Sequence, residues 1–186
     1  MSRRADSPRS RADLRTASGV LLVSRAPPLA APQTNGQPAT VPANPAEGAE
    51  ILIAVWDDGS VTALHGHVDL GTGLRTALAQ IVAEELEVEL SAVHVVLGDT
   101  ALAPNQGATS ASASIQIHAA PLRQAAAQAR AWLVAQAAAA QRPVDPRELL
   151  AGHHIELALS FDAPRKSPDA YRVVGPSVPW PRYATR

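Results

Sequence analysis

The feature that most restricts the fold is a change of apolar periodicity across the loop Gly71-Thr72-Gly73. Before the loop, an almost continuous apolar run at 51–56 ends at Asp57-Asp58-Gly59, and a second apolar run follows at 61–67. An Asp-Gly pair between two such runs is typical of a β-hairpin, because glycine tolerates the positive φ of a tight turn. After the loop, apolar residues are spaced by three and four, which predicts an amphipathic helix at 74–86.

Further elements are predicted after that helix. A third strand is expected at 93–97, and 109–114 is expected to open a long Ala-rich helix in which Pro121 either kinks the chain or marks the true start of the regular part. The apolar stripe of this helix would contain Ile115, Ala119, Leu122, Ala126, Ala129 and Leu133. Alternating residues at 155–159 indicate a possible last strand, and a Pro-rich arm with Tyr171, Trp180 and Tyr183 follows. The pattern predicts an α+β fold, a small mixed sheet with two packed helices and extended terminal arms.

The N-terminal region is predicted to lie outside this core. Arginines near the start precede the short apolar stretch 17–23, which is the order found in a signal peptide, although a lost leader or a disordered tail gives the same pattern. Residues 26–47 are rich in Pro, Ala, Gly, Asn and Thr, which indicates a linker, so the folded part should begin near Glu50. The expected division is leader and linker at 1–48, an α+β domain at 49–142, and a strand with its arm at 143–186. Both a cytoplasmic and a periplasmic location stay open.

Composition argues against several kinds of function. Of 186 residues, 46% are hydrophobic but only 3% are aromatic, so each buried position contributes little apolar area and the core is expected to need a partner. A net charge of -1 without a long basic run argues against a nucleic-acid partner, and no apolar stretch is long enough for a membrane span. Without cysteine the chain cannot hold an iron–sulfur cluster through thiolates, so any such centre would belong to another polypeptide.

Two loops have the chemistry of an anion site. Gly71-Thr72-Gly73 lies before a helix N-terminus, where unpaired backbone N–H groups and the helix dipole favour a phosphate. The predicted start of the second helix contributes hydroxyls that can cap the helix or donate to a phosphate: Thr109, Ser110, Ser112 and Ser114. A tight turn without a ligand and a simple N-cap are the alternatives. Two such helix starts in one small domain strengthen the case for a phosphate-bearing ligand, and both interpretations stay open.

The remaining polar residues predict no catalytic group and no metal ligand. His65 and His67 share one face of a strand and are expected to form a solvent-facing pair or a pair at the edge of a cofactor, since no cysteine and only Asp69 could join them on a metal. His118 near the Ala stripe is expected to be structural. The pair Glu84-Glu85 is expected on the solvated face of its helix. No Ser-His-Asp or paired-carboxylate pattern is recognisable, so the chain is predicted to bind rather than to catalyse.

Several motifs follow one another in an order known from one superfamily. Leu70-Gly71-Thr72-Gly73 and its helix to Leu86 lie within the run Val61 to Ala139, and the further pieces are 95–100, 109–114, 122–127 and 171–175. In these residues the chain resembles the molybdopterin-binding subunit of the xanthine dehydrogenase and aldehyde oxidase superfamily. It is most similar to the bacterial branch that includes nicotinate dehydrogenase and isoquinoline 1-oxidoreductase.

The resemblance implies a partial molybdenum-cofactor-binding domain. By similarity, the first contact with the cofactor would be made by Gly71, Thr72 and Gly73, and the second by Thr109, Ser110, Ala111, Ser112 and Ser114. The cofactor of the bacterial branch is usually the cytosine dinucleotide form of molybdopterin. Many members have Gln between the two glycines, where its amide reaches a ligand of the metal or the pterin. Thr72 is too short to span that distance, which puts direct contact with molybdenum in doubt.

The resemblance also implies partners. Molybdenum subunits of the family are much longer than this sequence and carry a catalytic Glu in a segment that is not found here. We therefore expect a small subunit that completes a cofactor pocket shared with a larger molybdenum-binding subunit, together with an iron–sulfur subunit and a cytochrome or flavin subunit. The implied reaction is oxidative hydroxylation of an N-heteroaromatic ring or an aldehyde. The alternatives are a non-catalytic accessory or assembly protein and a truncated remnant without function.

Overall fold

The computed structural model describes residues 8–26, 48–140 and 145–175. Its strands are β1 (Val20–Arg25), β2 (Glu50–Trp56), β3 (Val61–His65), β4 (Val93–Leu97) and β5 (His154–Ala158). Its α-helices are α1 (Arg11–Thr16), α2 (Leu74–Leu86), α3 (Ala113–Gln116), α4 (Ala119–Ala140) and α5 (Pro146–Leu150). Short 3-10 helices, Leu90–Ala92 and Pro168–Ala170, precede β4 and follow β5 respectively. No helix in these three ranges has both the length and the apolar character that a membrane span requires.

The strands form one sheet in the order β4-β3-β2-β1-β5. Strand β2 is antiparallel to both β1 and β3, whereas β3 pairs with β4 and β1 pairs with β5 in parallel. The predicted hairpin joins β2 to β3: Trp56 N–H donates to the Ser60 carbonyl at 2.9 Å, and Gly59 has φ +82°. The predicted α+β class with a small mixed sheet and packed helices is therefore confirmed.

Strand β1 overturns part of the prediction for the N-terminal region. Its residues 20–24 are all buried, and they divide between the two apolar clusters on opposite faces of the sheet, with Leu21 and Val23 in one and Val20 and Leu22 in the other. The prediction that the folded part begins near Glu50, with 1–48 as leader and linker, is wrong for residues 11–25. A strand that is covered on both faces has no polar alternation, so its sequence resembles the apolar part of a leader. The predicted linker at 27–47 lies outside the described residues.

Helices α2 and α4 cover one face of the sheet. They contribute Leu74, Leu78, Val82, Leu122 and Ala126 to the larger apolar cluster. The other face is covered by Leu14 of α1 and Leu102 of the loop after β4. Small alanine side chains at 125–127 and 129 are all buried, which allows α4 to approach the sheet closely.

The predicted long helix is divided into two. Helix α3 ends at Gln116 and α4 begins at Ala119, so the expectation that 109–114 opens the long helix is wrong, whereas the alternative that Pro121 marks the start of the regular part agrees with α4. Pro121 lies in the first turn of α4, where its missing N–H removes no intrahelical hydrogen bond. Ile115 lies on α3 and is exposed, so it does not belong to the predicted stripe, whereas Ala119, Leu122, Ala126 and Ala129 are buried as expected.

The chain after β5 returns over α2 and α4. We call residues 163–175 the C-terminal arm. Glu84 accepts hydrogen bonds from the backbone N–H groups of residues 172, 173 and 174 at 2.8, 2.5 and 2.9 Å, and from Lys166 Nζ at 2.8 Å. Glu85 accepts from Arg123 Nε at 2.6 Å. The prediction that Glu84 and Glu85 form a solvated face is wrong, because both carboxylates are buried under the arm. Trp180 and Tyr183 lie outside the described residues.

Candidate functional site

The first predicted site element is an open loop at the start of α2. We call residues 69–73 the glycine loop. Gly71 has φ +87°, and Gly73, the N-cap of α2, has φ +76°. A Cβ built on either residue would meet no atom within 4 Å. The left-handed backbone therefore explains both glycines, and the space outside the loop is open to a ligand.

The carboxylate of Asp69 accepts hydrogen bonds from backbone N–H groups of this loop and of the helix that follows it. Its Oδ1 accepts from the N–H groups of Gly71 and Thr72 at 3.0 and 2.9 Å, and its Oδ2 accepts from Arg75 N–H at 3.1 Å. The Arg75 N–H, more than the other groups, holds the pKa of Asp69 below its ordinary value, against the opposing effect of burial. These three N–H groups thus bind an anion, but that anion is the carboxylate of Asp69 in the same loop. Sequence reasoning missed this role, although Asp before a helix is an ordinary capping signal.

The second predicted site element packs against the first. We call residues 105–114 the hydroxyl loop. Thr109 Oγ1 accepts from the N–H of Val68 at 2.9 Å, and Gln106 Oε1 accepts from the N–H of Gly66 at 2.7 Å. Ser114 Oγ lies 2.7 Å from Nδ1 of His67. The structure therefore brings the two predicted loops together through the residues that immediately precede the glycine loop.

The hydroxyl loop has an unusual backbone. Ala111 and Ser112 both have φ +54°, a left-handed conformation that costs a non-glycine residue roughly 1 kcal/mol or more. Ser112 is the N-cap of α3 but makes no side-chain capping bond. The hydroxyls of Ser110 and Ser112 have no hydrogen-bond partner among the described residues, and both side chains are exposed. Because α3 has only four residues, hydroxyls and backbone N–H groups, rather than a long helix dipole, are what this loop offers to an anion.

Two other glycines allow the loops to approach. A Cβ on Gly66 would lie 2.2 Å from the carbonyl oxygen of Pro104, and a Cβ on Gly98 would lie 2.4 Å from Val68 Cγ1. Neither residue was a predicted site residue. Gly66, between two histidines, and Gly98, at the end of a strand, were nevertheless visible in the sequence as positions where another backbone could approach closely.

Three histidines form a cluster beneath the loops. The ring of His67 lies 5.3 Å from that of His65 and 4.4 Å from that of His118, centroid to centroid. His65 and His67 are fully buried, so the alternative of a solvent-facing pair is wrong, and the alternative of a pair at the edge of a cofactor stays a prediction. Burial lowers the pKa of His65 to about 4, with a further contribution from His67, and burial likewise lowers the pKa of His118 to about 4. Among residues 8–26, 48–140 and 145–175, no three or more His, Asp or Glu side chains are placed to hold a metal ion.

Two cavities flank this region. One of about 290 Å³ lies beside the first residues of the hydroxyl loop and is lined by polar groups that include Asp99, Asn105 and Gln106. The other, of about 280 Å³, lies between α2, α4 and the C-terminal arm, and Ile115 and Tyr171 are among its lining residues. The groups that converge at the loops are hydroxyls, backbone N–H groups and neutral imidazoles. Such groups bind and orient an anion or a polar ring.

The match to known proteins defines the class to which this fold and these loops belong. The family model described as molybdopterin cofactor-binding domain matches residues 4–160, which include both loops and all five strands. The chain belongs to this family. The resemblance to the molybdopterin-binding subunits of the xanthine dehydrogenase and aldehyde oxidase superfamily is thereby confirmed.

The relatives that this chain matches are much longer proteins. It is 45% identical over 190 residues to a subunit of nicotinate dehydrogenase from Pseudomonas putida, a match that covers 91% of this chain but 16% of that protein. Xanthine dehydrogenase of Blastobotrys adeninivorans is 40% identical over 70 residues, and aldehyde oxidase 2 of Macaca fascicularis is 36% identical over 70 residues. Each of these two matches covers 38% of this chain and 5% of the relative. The chain therefore spans about a sixth of the first relative and a smaller share of the others.

Proposed function

We propose that this chain completes the molybdenum-cofactor pocket of a multi-subunit molybdenum hydroxylase that oxidises an N-heteroaromatic compound or an aldehyde. The observation that carries the proposal is that the hydroxyl loop binds the residues just before the glycine loop, Val68 N–H to Thr109 Oγ1 and His67 to Ser114, within a chain that matches a molybdopterin cofactor-binding domain. Family membership gives the ligand class, and the contact gives one continuous surface for it.

The residues at this surface fit a cofactor that bears phosphates and a polar ring. The glycine loop leaves open space beyond Gly71 and Gly73, so a ligand can approach its backbone. Thr109 Oγ1 accepts from Val68, which leaves its own hydrogen available to donate. Ser110 and Ser112 add two exposed hydroxyls. Contact with the cofactor is therefore proposed for Gly71, Thr72, Gly73, Thr109, Ser110, Ala111 and Ser112, and Ser114 is proposed as a further residue of the same site.

Catalysis is proposed to depend on other chains. The bound cofactor, in its cytosine dinucleotide form, would supply the redox centre, and this chain would hold part of it in place. The chain has no cysteine for an iron–sulfur cluster, so electrons would leave through an iron–sulfur subunit and a cytochrome or flavin subunit. A larger molybdenum-binding subunit would provide the catalytic Glu.

Exposed apolar side chains around the loops support a large partner. Leu70 in the glycine loop is 73% exposed and Ile117 after α3 is 46% exposed, and Val68 and Ile115 are exposed beside them. Exposed apolar side chains in and near both loops favour cover by another polypeptide. The corresponding stretch of the nicotinate dehydrogenase relative is 16% of that protein, which leaves a long remainder to provide such a cover in the relative.

The proposal is tested by replacing Gly73 with Val in the chain co-expressed with a larger molybdenum-binding subunit from the same genome. The substitution puts a branched side chain into the space that the cofactor would approach. We expect the pterin content of the purified complex to fall at least about tenfold, measured as the fluorescent oxidation product of the pterin per mole of this chain.

Gly59→Val is the matched control, because Gly59 has φ +82° and equally open surroundings but lies in the β2–β3 turn. Its backbone strain should resemble that of Gly73→Val, while the pterin content should stay at the level of the unmodified complex. Equal pterin contents in the two variants, or purification of this chain without a larger subunit, would contradict the proposed function.

A further inference from the structure

We infer that His67 is a positioning residue, which holds the hydroxyl loop against the end of β3, and that Ser114 acts through His67 rather than by touching the ligand. This inference rests on the proposed function of the two loops. His67 is fully buried and lies two residues before Asp69, the residue that organises the glycine loop. Its ring therefore connects the two halves of the proposed site.

The hydrogen bonds of His67 define the tautomer of its neutral ring. Nε2 lies 3.3 Å from the carbonyl oxygen of Gln106, and a carbonyl can only accept, so Nε2 carries the hydrogen. In a neutral ring Nδ1 then has only a lone pair, and the Ser114 hydroxyl, 2.7 Å away, must donate to it. The ring thus holds the hydroxyl loop at two points, one on each side of Thr109.

His65 also binds Ser114, but through the backbone carbonyl oxygen of that residue. Its Nε2 lies 3.3 Å from the carbonyl oxygen of Ser114, and its Nδ1 accepts from the backbone N–H of His67 at 3.2 Å. The hydrogen of the His65 ring is therefore on Nε2, which is the same tautomer as that of His67. Ser114 is held through its hydroxyl by one ring and through its carbonyl by the other.

These bonds change the role expected for Ser114. Its one hydroxyl hydrogen is used by His67 Nδ1, so it cannot donate to a phosphate at the same time. Thr109, by contrast, accepts with its oxygen and keeps its hydrogen for a ligand. If the His67–Ser114 bond were only structural, its removal would leave the cofactor content of the complex unchanged. The following variants test this alternative.

Two conservative substitutions separate the bonds of His67. In His67→Asn the amide oxygen takes the place of Nδ1, which keeps the Ser114 bond and loses the Gln106 bond. In His67→Gln the amide nitrogen takes the place of Nε2, which keeps the Gln106 bond and loses the Ser114 bond. Ser114→Ala removes the same bond from the other side with the loss of a single oxygen atom. His94→Asn, on the exposed side of β4, is the control for a histidine substitution without buried contacts.

The first measurement is amide hydrogen exchange of the full chain without cofactor. We expect His67→Gln and Ser114→Ala each to speed exchange in 105–114 by about tenfold, since one buried hydrogen bond is lost, while β2 and α4 keep their protection. His67→Asn, which loses only the longer bond to Gln106, should speed exchange less than His67→Gln does, and His94→Asn should exchange like the unmodified chain. Uniform acceleration throughout the chain, or none, would overturn the inference. Should His67→Gln not fold, Ser114→Ala still decides the question.

The second measurement is the pterin content of the complex with the larger molybdenum-binding subunit. We expect the pterin content to fall about tenfold in His67→Gln and in Ser114→Ala, and to stay unchanged in His67→Asn. The double variant, His67→Gln with Ser114→Ala, should lose no more than either single variant. Equal losses in His67→Asn and His67→Gln would overturn the assignment to Ser114. Faster exchange in 105–114 with unchanged pterin content would support the positioning of the loop by His67 and would contradict the proposed cofactor role of that loop.

Discussion

Substitution of Glu84 by Gln should release the C-terminal arm from α2. The Glu84 carboxylate is 3% exposed and binds Lys166 Nζ and three backbone N–H groups of the arm. Burial alone would raise the pKa of Glu84, but Lys166 and the three N–H groups outweigh it and lower the pKa to about 2 from 4.5. A shift of that size corresponds to about 3 kcal/mol for the charged form, and partial solvent screening reduces this to about 2 kcal/mol. The arm should therefore open about thirtyfold more often.

The assay is amide hydrogen exchange in 166–174, together with urea unfolding as a function of pH. Because the pKa of Glu84 is lowered by folding, its stabilisation is complete above about pH 4.5 and is lost as the pH falls through about 2. Glu84→Gln should therefore be less stable than the unmodified chain at pH 7, and the two should converge near pH 2. Glu87→Gln is the matched control, since Glu87 is 57% exposed and lies 3.5 Å from the same Lys166 Nζ. We expect it to cost less than about 0.5 kcal/mol. Equal protection of the arm in the Glu84 and Glu87 variants at pH 7 would refute the reasoning.

Three further predictions concern the core and the loops. Leu14→Ala should lower the free energy of unfolding by about 2–5 kcal/mol in urea titrations, because Leu14 is the buried residue of α1. Gly66→Ala should cost about 3 kcal/mol by the same assay and loosen the hydroxyl loop, because the new Cβ would lie 2.2 Å from the Pro104 carbonyl oxygen. Burial lowers the pKa of His65 to about 4 from 6.5, so its stabilisation should be complete above about pH 6.5 and should decline by about 3 kcal/mol towards pH 4.

Each of these three predictions would be contradicted by a particular result. An unaffected Leu14→Ala variant would mean that residues 11–16 do not belong to the core. Gly59→Ala serves as the control for Gly66→Ala, since a Cβ there meets nothing, and an equal loss in both would remove the steric argument. A stability that stays constant between pH 6.5 and 4 would contradict the neutral state assigned to His65.

The sequence predicted the elements whose patterns are local. The hairpin, α2 and β4 follow from alternation, an Asp-Gly turn and helical spacing within a few residues of each other. Strand β1 was missed because burial on both faces removes alternation, and the break between α3 and α4 was missed because the Ala-rich stretch continues through Ile117 and His118.

The candidate site was also predictable only where its residues lie close together in sequence. Both loops were identified from glycines and hydroxyls close together in sequence, and the structure joins the hydroxyl loop to the residues just before the glycine loop. The partners of Glu84 lie 82 to 90 residues away along the chain, and Ser114 is 47 residues from His67. Such pairings depend on tertiary packing, so the burial of Glu84 and His67 could not be obtained from helical or strand periodicity.

The position of β1 also determines when the sheet can be completed during synthesis. Its second neighbour is β5, and the side chains that join the two strands, Ser24 and Glu156, are 132 residues apart in the chain. A nascent polypeptide must therefore carry β1 with one edge unpaired until almost all of the described fold has left the ribosome. Pairing over so long a distance slows folding, and an unpaired strand edge invites association with other chains. Chaperone binding during synthesis should therefore depend on Leu21 and Val23, and a chain that ends before β5 should aggregate.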